Sequence, residues 1–215
     1  MADFVVLATA DWDHPLWTNK QHTAQSLVEN GHRVLYVESL GLRPPRASTS
    51  DGLRILRRLQ RMLRPPRQVR HNLWVWSPAV LPGGTKGRAL VLNRCLFRAG
   101  LAFVFRLLRF HKPLLWTYNP LTRLYLALND FSGSVYHCVD SIQDQPGMPS
   151  ALIERGERDL CSSVNVVLTT APELQRRLER LNPHTYFFGN VADASHFHQA
   201  LESDLPCPDD LATVS

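Results

Sequence analysis

Residues 4–38 read FVVLATADWDHPLWTNKQHTAQSLVENGHRVLYVE, and this stretch decides the fold. Phe4 to Ala8 is an uninterrupted apolar run of strand length, as a strand covered on both faces requires. The loop Thr9 to Thr18 leads into a helix over about Asn19 to Glu29, which ends at Asn30-Gly31 because glycine accepts the left-handed conformation of a helix C-cap. Arg33 to Glu38 is then a second buried strand. A strand, a helix and a strand in so short a span form a βαβ unit, the start of a parallel sheet. The first turn has no glycine between Thr9 and Pro15. It therefore lacks the G-x-G-x-x-G loop that lets a backbone approach a pyrophosphate, which argues against NAD or FAD.

Outward from this unit the alternation continues. Strands are expected at Leu73 to Trp76, Pro113 to Thr117, Ser134 to Val139, Val164 to Thr169 and His184 to Phe188. Helices are expected over about Arg88 to Phe110, Leu121 to Leu128, Ser150 to Ser162 and Glu173 to Leu181. Six to seven strands alternating with helices predict an α/β, Rossmann-like, doubly wound and mostly parallel sheet over residues 1–200, followed by an acidic, proline-bearing linker or tail at 201–215.

The chain has 215 residues, 44% of them hydrophobic, and a formal charge of +5, values that suit a globular core and exclude a disordered or fibrous chain. The charge is local. Nine arginines and a single acid, Asp51, lie between Arg43 and Arg70. Within it, Gly52 to Leu63 places Ile55, Leu56, Leu59, Met62 and Leu63 on one side of a helix and Arg54, Arg57, Arg58 and Arg61 mostly elsewhere. Such a helix can lie in an anionic membrane surface, or dock on its own domain with a solvated arginine face; periodicity alone does not separate the two. Aromatics that would stack bases are not interleaved through the segment, which weakens a nucleic-acid reading.

Cys95, Cys138, Cys161 and Cys207 are scattered singly, without the spacing of a zinc site or redox pair, so a reduced, cytoplasmic setting is expected. The N-terminus has no basic start and reaches Asp11 after a short apolar run, a first strand rather than a signal peptide. Arg94, Arg98, Arg106 and Arg109 interrupt the apolar stretch 88–110, which rules against a membrane span there. His196 and His198 lack further ligands nearby and read as surface residues, so no metal site is expected. No G-x-S-x-G elbow is present to activate a serine.

In open parallel sheets ligands bind beyond the carboxyl ends of the strands. The candidates are therefore Asp11, Asp13 and His14 after the first strand, Asn19 and Lys20 at the following helix start, Tyr118 and Asn119 after the fourth, and His137 and Asp140 at the end of the fifth. A carboxylate or imidazole in that last loop can take a proton from a hydroxyl or stabilise positive charge developing on a sugar ring.

Four segments together carry a family resemblance: GHRVLYVE (Gly31 to Glu38), VDSIQDQPG (Val139 to Gly147), NVVLTTAPELQRRL (Asn165 to Leu178) and FFGNVADASHF (Phe187 to Phe197). They resemble the N-terminal domain of family 4 retaining glycosyltransferases with the GT-B fold, closest to a bacterial subgroup acting on cell-surface polysaccharides. The family's N-G-V-D joint departs here, with Ala192 before Asp193 and no glycine between Asn190 and Val191. The resemblance implies transfer of a sugar from a nucleotide-sugar donor, a co-substrate rather than a cofactor, to a carbohydrate or lipid-linked acceptor without an obligatory metal. It implies that Asp140 and His137 stand near the reacting hydroxyl, and that Asp11, Asp13, His14, Asn19, Lys20, Tyr118 and Asn119 line the acceptor side. It also implies that the donor is held mainly by a C-terminal domain beginning about where this chain stops, so that the chain alone has no turnover. The enzyme would be cytoplasmic and peripheral on the inner face of the membrane. The competing reading is a non-catalytic α/β binding module whose basic segment contacts a membrane or nucleic acid.

Overall fold

The computed structural model describes residues 1–40, 65–81, 84–191 and 198. Arg54, Arg57, Arg58 and Arg61, with the whole candidate basic helix, lie outside the described residues, as do the 192–197 part of the joint and the tail at 201–215. The fold is α/β and Rossmann-like. Its strands are β1 (Asp3–Leu7), β2 (Arg33–Val37), β3 (Arg67–Arg70), β4 (Leu73–Trp76), β5 (Leu114–Thr117), β6 (Gly133–Cys138), β7 (Val166–Thr169) and β8 (Thr185–Phe187). Its helices are α1 (Asn19–Glu29), α2 (Gly87–Leu108), the single turn α3 (Thr122–Tyr125), α4 (Ser150–Cys161) and α5 (Pro172–Leu178).

The eight strands form one sheet in the order β3-β4-β2-β1-β5-β6-β7-β8. Every pairing is parallel except β3 with β4. The expectation of six to seven strands is corrected by β3, a short edge strand reading RQVR with only Val69 partly covered. An edge strand with one solvated side has no apolar signature of its own, and arginines on it discourage pairing with another chain. The helix expected over Leu121 to Leu128 is also corrected. The turn α3 stops at Leu126, whose backbone is extended, and a separate 3-10 turn follows at Leu128–Asp130.

The uninterrupted apolar runs have the cause expected of a sheet buried on both faces. In β1, Val5 and Leu7 join a layer with Leu35, Val37, Trp76, Phe97 and Leu101, while Phe4, Val6 and Ala8 join the opposite layer with Ala24, Val34 and Tyr36. A third cluster, with Tyr136, Leu160, Val167 and Leu178, holds β6 and β7 against α4 and α5. Gly31, with φ +80, reverses the chain between α1 and β2 where a side chain would be strained.

Helix α2 is fastened at both ends. At its start, buried Asn93 receives the Leu81 amide at 2.6 Å and donates to the carbonyls of Leu81 and Gly84. At its end, Arg33 donates to the Leu108 and Arg109 carbonyls, makes two 2.7 Å bonds to Asp3 and lies 4.6 Å over the Phe110 ring. The Cys95, Cys138 and Cys161 thiols are unpaired. Burial, then the Glu157 carboxylate, pushes Cys138 up to about 12, so it stays a protonated, unreactive packing group. Cys207 lies outside the described residues.

Candidate functional site

The direction of winding reverses between β1 and β5. The chain leaves β1 for β2 on one side, while β5 pairs with β1 on the other. Such a switch point opens a crevice at the carboxyl ends of the strands, and α1 begins above it. The first turn of α1 is set by Thr18, whose amide donates to Gln21 Oε1 at 3.1 Å, and by buried Gln21, whose Nε2 donates to the Asp11 carbonyl at 3.1 Å. That arrangement places Asn19 and Lys20 over the crevice.

Tyr118 continues the β5 ladder, its amide donating to the Leu7 carbonyl at 2.9 Å. Its side chain is buried and its hydroxyl lies 3.1 Å from the Asn19 carbonyl, 2.8 Å from Thr23 Oγ1 and 3.0 Å from His137 Nδ1. The phenol has one proton, and a carbonyl can only accept. The phenol donates one bond and accepts the others, so a single oxygen ties His137 of β6 to Thr23 of α1. The His137 ring lies 4.9 Å from Tyr118 and 5.9 Å from Trp116, centroid to centroid.

Burial, reinforced by the Lys20 ammonium, depresses the His137 imidazole to about 4. Burial also lowers Lys20, against the pull of the Asp140 carboxylate, which raises it. The Lys20 Nζ stands 5.7 Å from the Tyr118 ring centroid. The crevice thus holds a half-buried cation from α1 with a neutral imidazole and an exposed carboxylate from the end of β6 and the loop after it.

The other sequence candidates have different surroundings. Asp13 is exposed and paired with Arg67 of β3 at 2.5 Å, which ties it to the sheet edge. His14 is exposed and bonds locally, its Nδ1 2.9 Å from the Leu16 carbonyl. Asn119 is buried, and its Oδ1 accepts the Leu121 amide at 2.8 Å while its carbonyl accepts from Thr122. Its side-chain oxygen builds the turn into α3. Asp11 is exposed, and it is the Asp11 carbonyl that holds Gln21.

Sequence reasoning missed Thr23, one turn into α1, and the indoles of the first loop. Trp12 packs 4.9 Å from Trp17 and 5.1 Å from Tyr36, centroid to centroid, with Trp17 partly exposed. Two tryptophans five residues apart in an otherwise polar loop were the available signal. Asn190, in the joint after β8, accepts a 2.9 Å bond from Asn19 Nδ2, so the exit of the sheet returns to the switch point. Among the described residues no group of three or more His, Cys, Asp or Glu is placed to hold a metal ion.

The depressed imidazole has a measurable consequence. A histidine with a folded pKa below its unfolded value near 6.5 adds stability that is fully present above that value and is lost as pH falls through about 4. The window spans about 2.5 pH units, worth roughly 3 kcal/mol. The His137 Cε1–H resonance is expected to titrate with a midpoint of about 4, and Lys20→Met is expected to raise that midpoint by removing the repelling charge. A wild-type midpoint above 6 would show that the ring is neither buried nor repelled as described.

Comparison with protein-family models and with curated proteins finds no match to this chain.

Proposed function

We propose that this chain is the acceptor-side half of a GT-B glycosyltransferase, which moves a sugar from a nucleotide donor to a carbohydrate or lipid-linked acceptor at the cytoplasmic face of a membrane. The observation that supports this reading most is the trio Lys20, His137 and Asp140 at the switch point. Lys20 offers a half-buried ammonium to the phosphates of a nucleotide sugar, where desolvation strengthens the attraction. His137, a neutral imidazole, exchanges a hydrogen bond with a sugar hydroxyl. Asp140 takes the acceptor proton, or stabilises positive charge on the sugar ring, as the bond between the anomeric carbon and the phosphate oxygen breaks and the nucleoside diphosphate leaves with the electron pair. Trp17 adds a flat apolar surface of the kind on which sugar rings stack. The basic segment with Arg54, Arg57, Arg58 and Arg61 supplies contact with anionic lipid, and the donor is bound mainly by a second Rossmann-like half.

The test is a titration of the isotopically labelled chain with mono- and disaccharides and with nucleoside diphosphates. Amide shifts confined to residues 11–23 and 137–141, weakened about tenfold by Lys20→Met, are the expected result, a factor equivalent to about 1.4 kcal/mol. No shift with any sugar, together with salt-sensitive RNA binding, would overturn the reading in favour of a non-catalytic binding module.

A further inference from the structure

Helix α2 turns one side to the sheet and a different apolar side to solvent. Asn93, Phe97, Leu101 and Val104 are buried, with Phe97 stacked on Trp76 at 5.9 Å. On the outward side Leu92, Leu96, Phe103 and Leu107 are 47%, 40%, 62% and 54% exposed. Their spacing of four, seven and four residues draws a single line along a helix, with Ala99 filling the gap in that line. The helix spans 22 residues, roughly 33 Å at the α-helical rise. Core packing accounts for the first face and leaves the second without an occupant among the described residues.

Charge identifies the occupant. Gly87–Leu108 contains four arginines, Arg88, Arg94, Arg98 and Arg106, and no acid. Lys86, Arg109 and Lys112 extend the same sign past both ends. By helical angle Arg88 and Arg106 border the apolar line. Arg94 and Arg98 lie on the far side of the helix from that line, where with Arg123 they line a cavity of about 360 Å³, so Arg88 and Arg106 are the arginines of α2 that reach the outward face. The nearby acids are partly engaged, since Asp130 meets Arg98 at 3.3 Å and Asp159 meets Arg123 at 2.9 Å.

From this geometry we infer that the outward face of α2 is a docking surface for an anionic lipid bilayer. The exposed leucines and Phe103 insert at the headgroup boundary and the bordering arginines meet lipid phosphates. The same charge argues against two other occupants. A second copy would set arginines against arginines, and the chain's own Arg43 to Arg70 segment carries the same sign. Among the described residues no helix is long and apolar enough to cross a membrane, and a helix fastened to the sheet at both ends lies on a bilayer as part of a rigid platform. This inference stands on α2 alone and does not require glycosyl transfer.

The test uses the whole chain with Cys207→Ser and a solvent-sensitive fluorophore on exposed Cys95, the two other cysteines being buried. The protein is mixed with vesicles of phosphatidylcholine alone or of phosphatidylcholine with phosphatidylglycerol. The expected result is co-sedimentation with the anionic vesicles only, weakened by salt, with a blue shift of the Cys95 probe. Leu96→Asp with Phe103→Asp, both at exposed positions that leave the fold intact by circular dichroism, is expected to lower partitioning by about tenfold or more. Replacing Arg54, Arg57, Arg58 and Arg61 by serine is expected to weaken co-sedimentation without abolishing it, the protein that still binds keeping the probe shift. Unchanged binding by the Leu96 and Phe103 variant overturns the proposal, as does a probe that stays aqueous on bound protein. A blue shift without vesicles that grows with protein concentration overturns it in favour of self-association.

Discussion

Arg177→Met is expected to destabilise the protein by about 2 kcal/mol, between a surface ion pair and a fully buried one, because the Arg177 side chain is 37% exposed while Glu157 is sealed from water. Glu157 is 3% exposed on α4, and its carboxylate is met by Arg177 Nη1 from α5 and by the Tyr136 hydroxyl from β6 at 2.7 Å. The Cys138 thiol lies 3.6 Å from the same oxygen that Tyr136 reaches. Without the guanidinium, one neutral donor and one weak one must compensate a charge sealed from water. The measurement is the urea midpoint of the wild type, Arg177→Met, and Arg177→Met combined with Glu157→Gln. The double variant should recover a large part of the loss, since it removes the stranded charge as well. A single-variant loss below about 1 kcal/mol would place this pair with ordinary surface ion pairs.

Asp140→Asn is expected to cut glycosyl transfer by roughly 100-fold or more with little effect on stability, the range for losing a positioned proton acceptor. The side chain is exposed, so the amide is accommodated without repacking. It can neither take a proton nor stabilise a positive charge. The measurement is transfer from a nucleotide sugar by this chain supplied with the donor-binding half that the proposed function calls for, alongside the thermal midpoint. Asp140→Glu should retain part of the rate. Wild-type turnover in Asp140→Asn would remove Asp140 from the proposed chemistry and leave Lys20 and His137 as binding groups only. His137→Gln is expected to act mainly on acceptor affinity, because an imidazole with a pKa of about 4 is a weak base near neutrality.

Much of the fold was legible because the sheet is covered on both faces. β1 and β2 are unbroken apolar runs, and the bounds of α1 follow from Asn30-Gly31 and from the polar loop before it. β3 was not legible, since an edge strand of arginine and glutamine is held by its ladder with β4 and needs no apolar stripe. The short α3 was misread as a longer helix because the residues after it are apolar and helix-compatible. Tertiary packing of Tyr125, Leu126 and Phe131 into one cluster breaks the chain there instead. The candidate site was legible as a set of strand ends but not as a constellation. Lys20 and His137 are far apart in sequence, and their meeting depends on β6 lying beside β5. Asn119 shows the opposite case, a polar residue at a strand end whose side-chain oxygen is spent on its own turn.

The bond between Asn19 and Asn190 joins the first helix to the point where the chain leaves its last strand. A hydrogen bond between two solvent-facing amides contributes on the order of 1 kcal/mol, enough to favour the closed arrangement only a few-fold. It is a latch that thermal motion opens and closes continually. Because Asn19 immediately precedes Lys20, this bond fixes the exit of the last strand beside the helix start that carries the amine. The two ends of this fold are thereby geared together through a single pair of side chains.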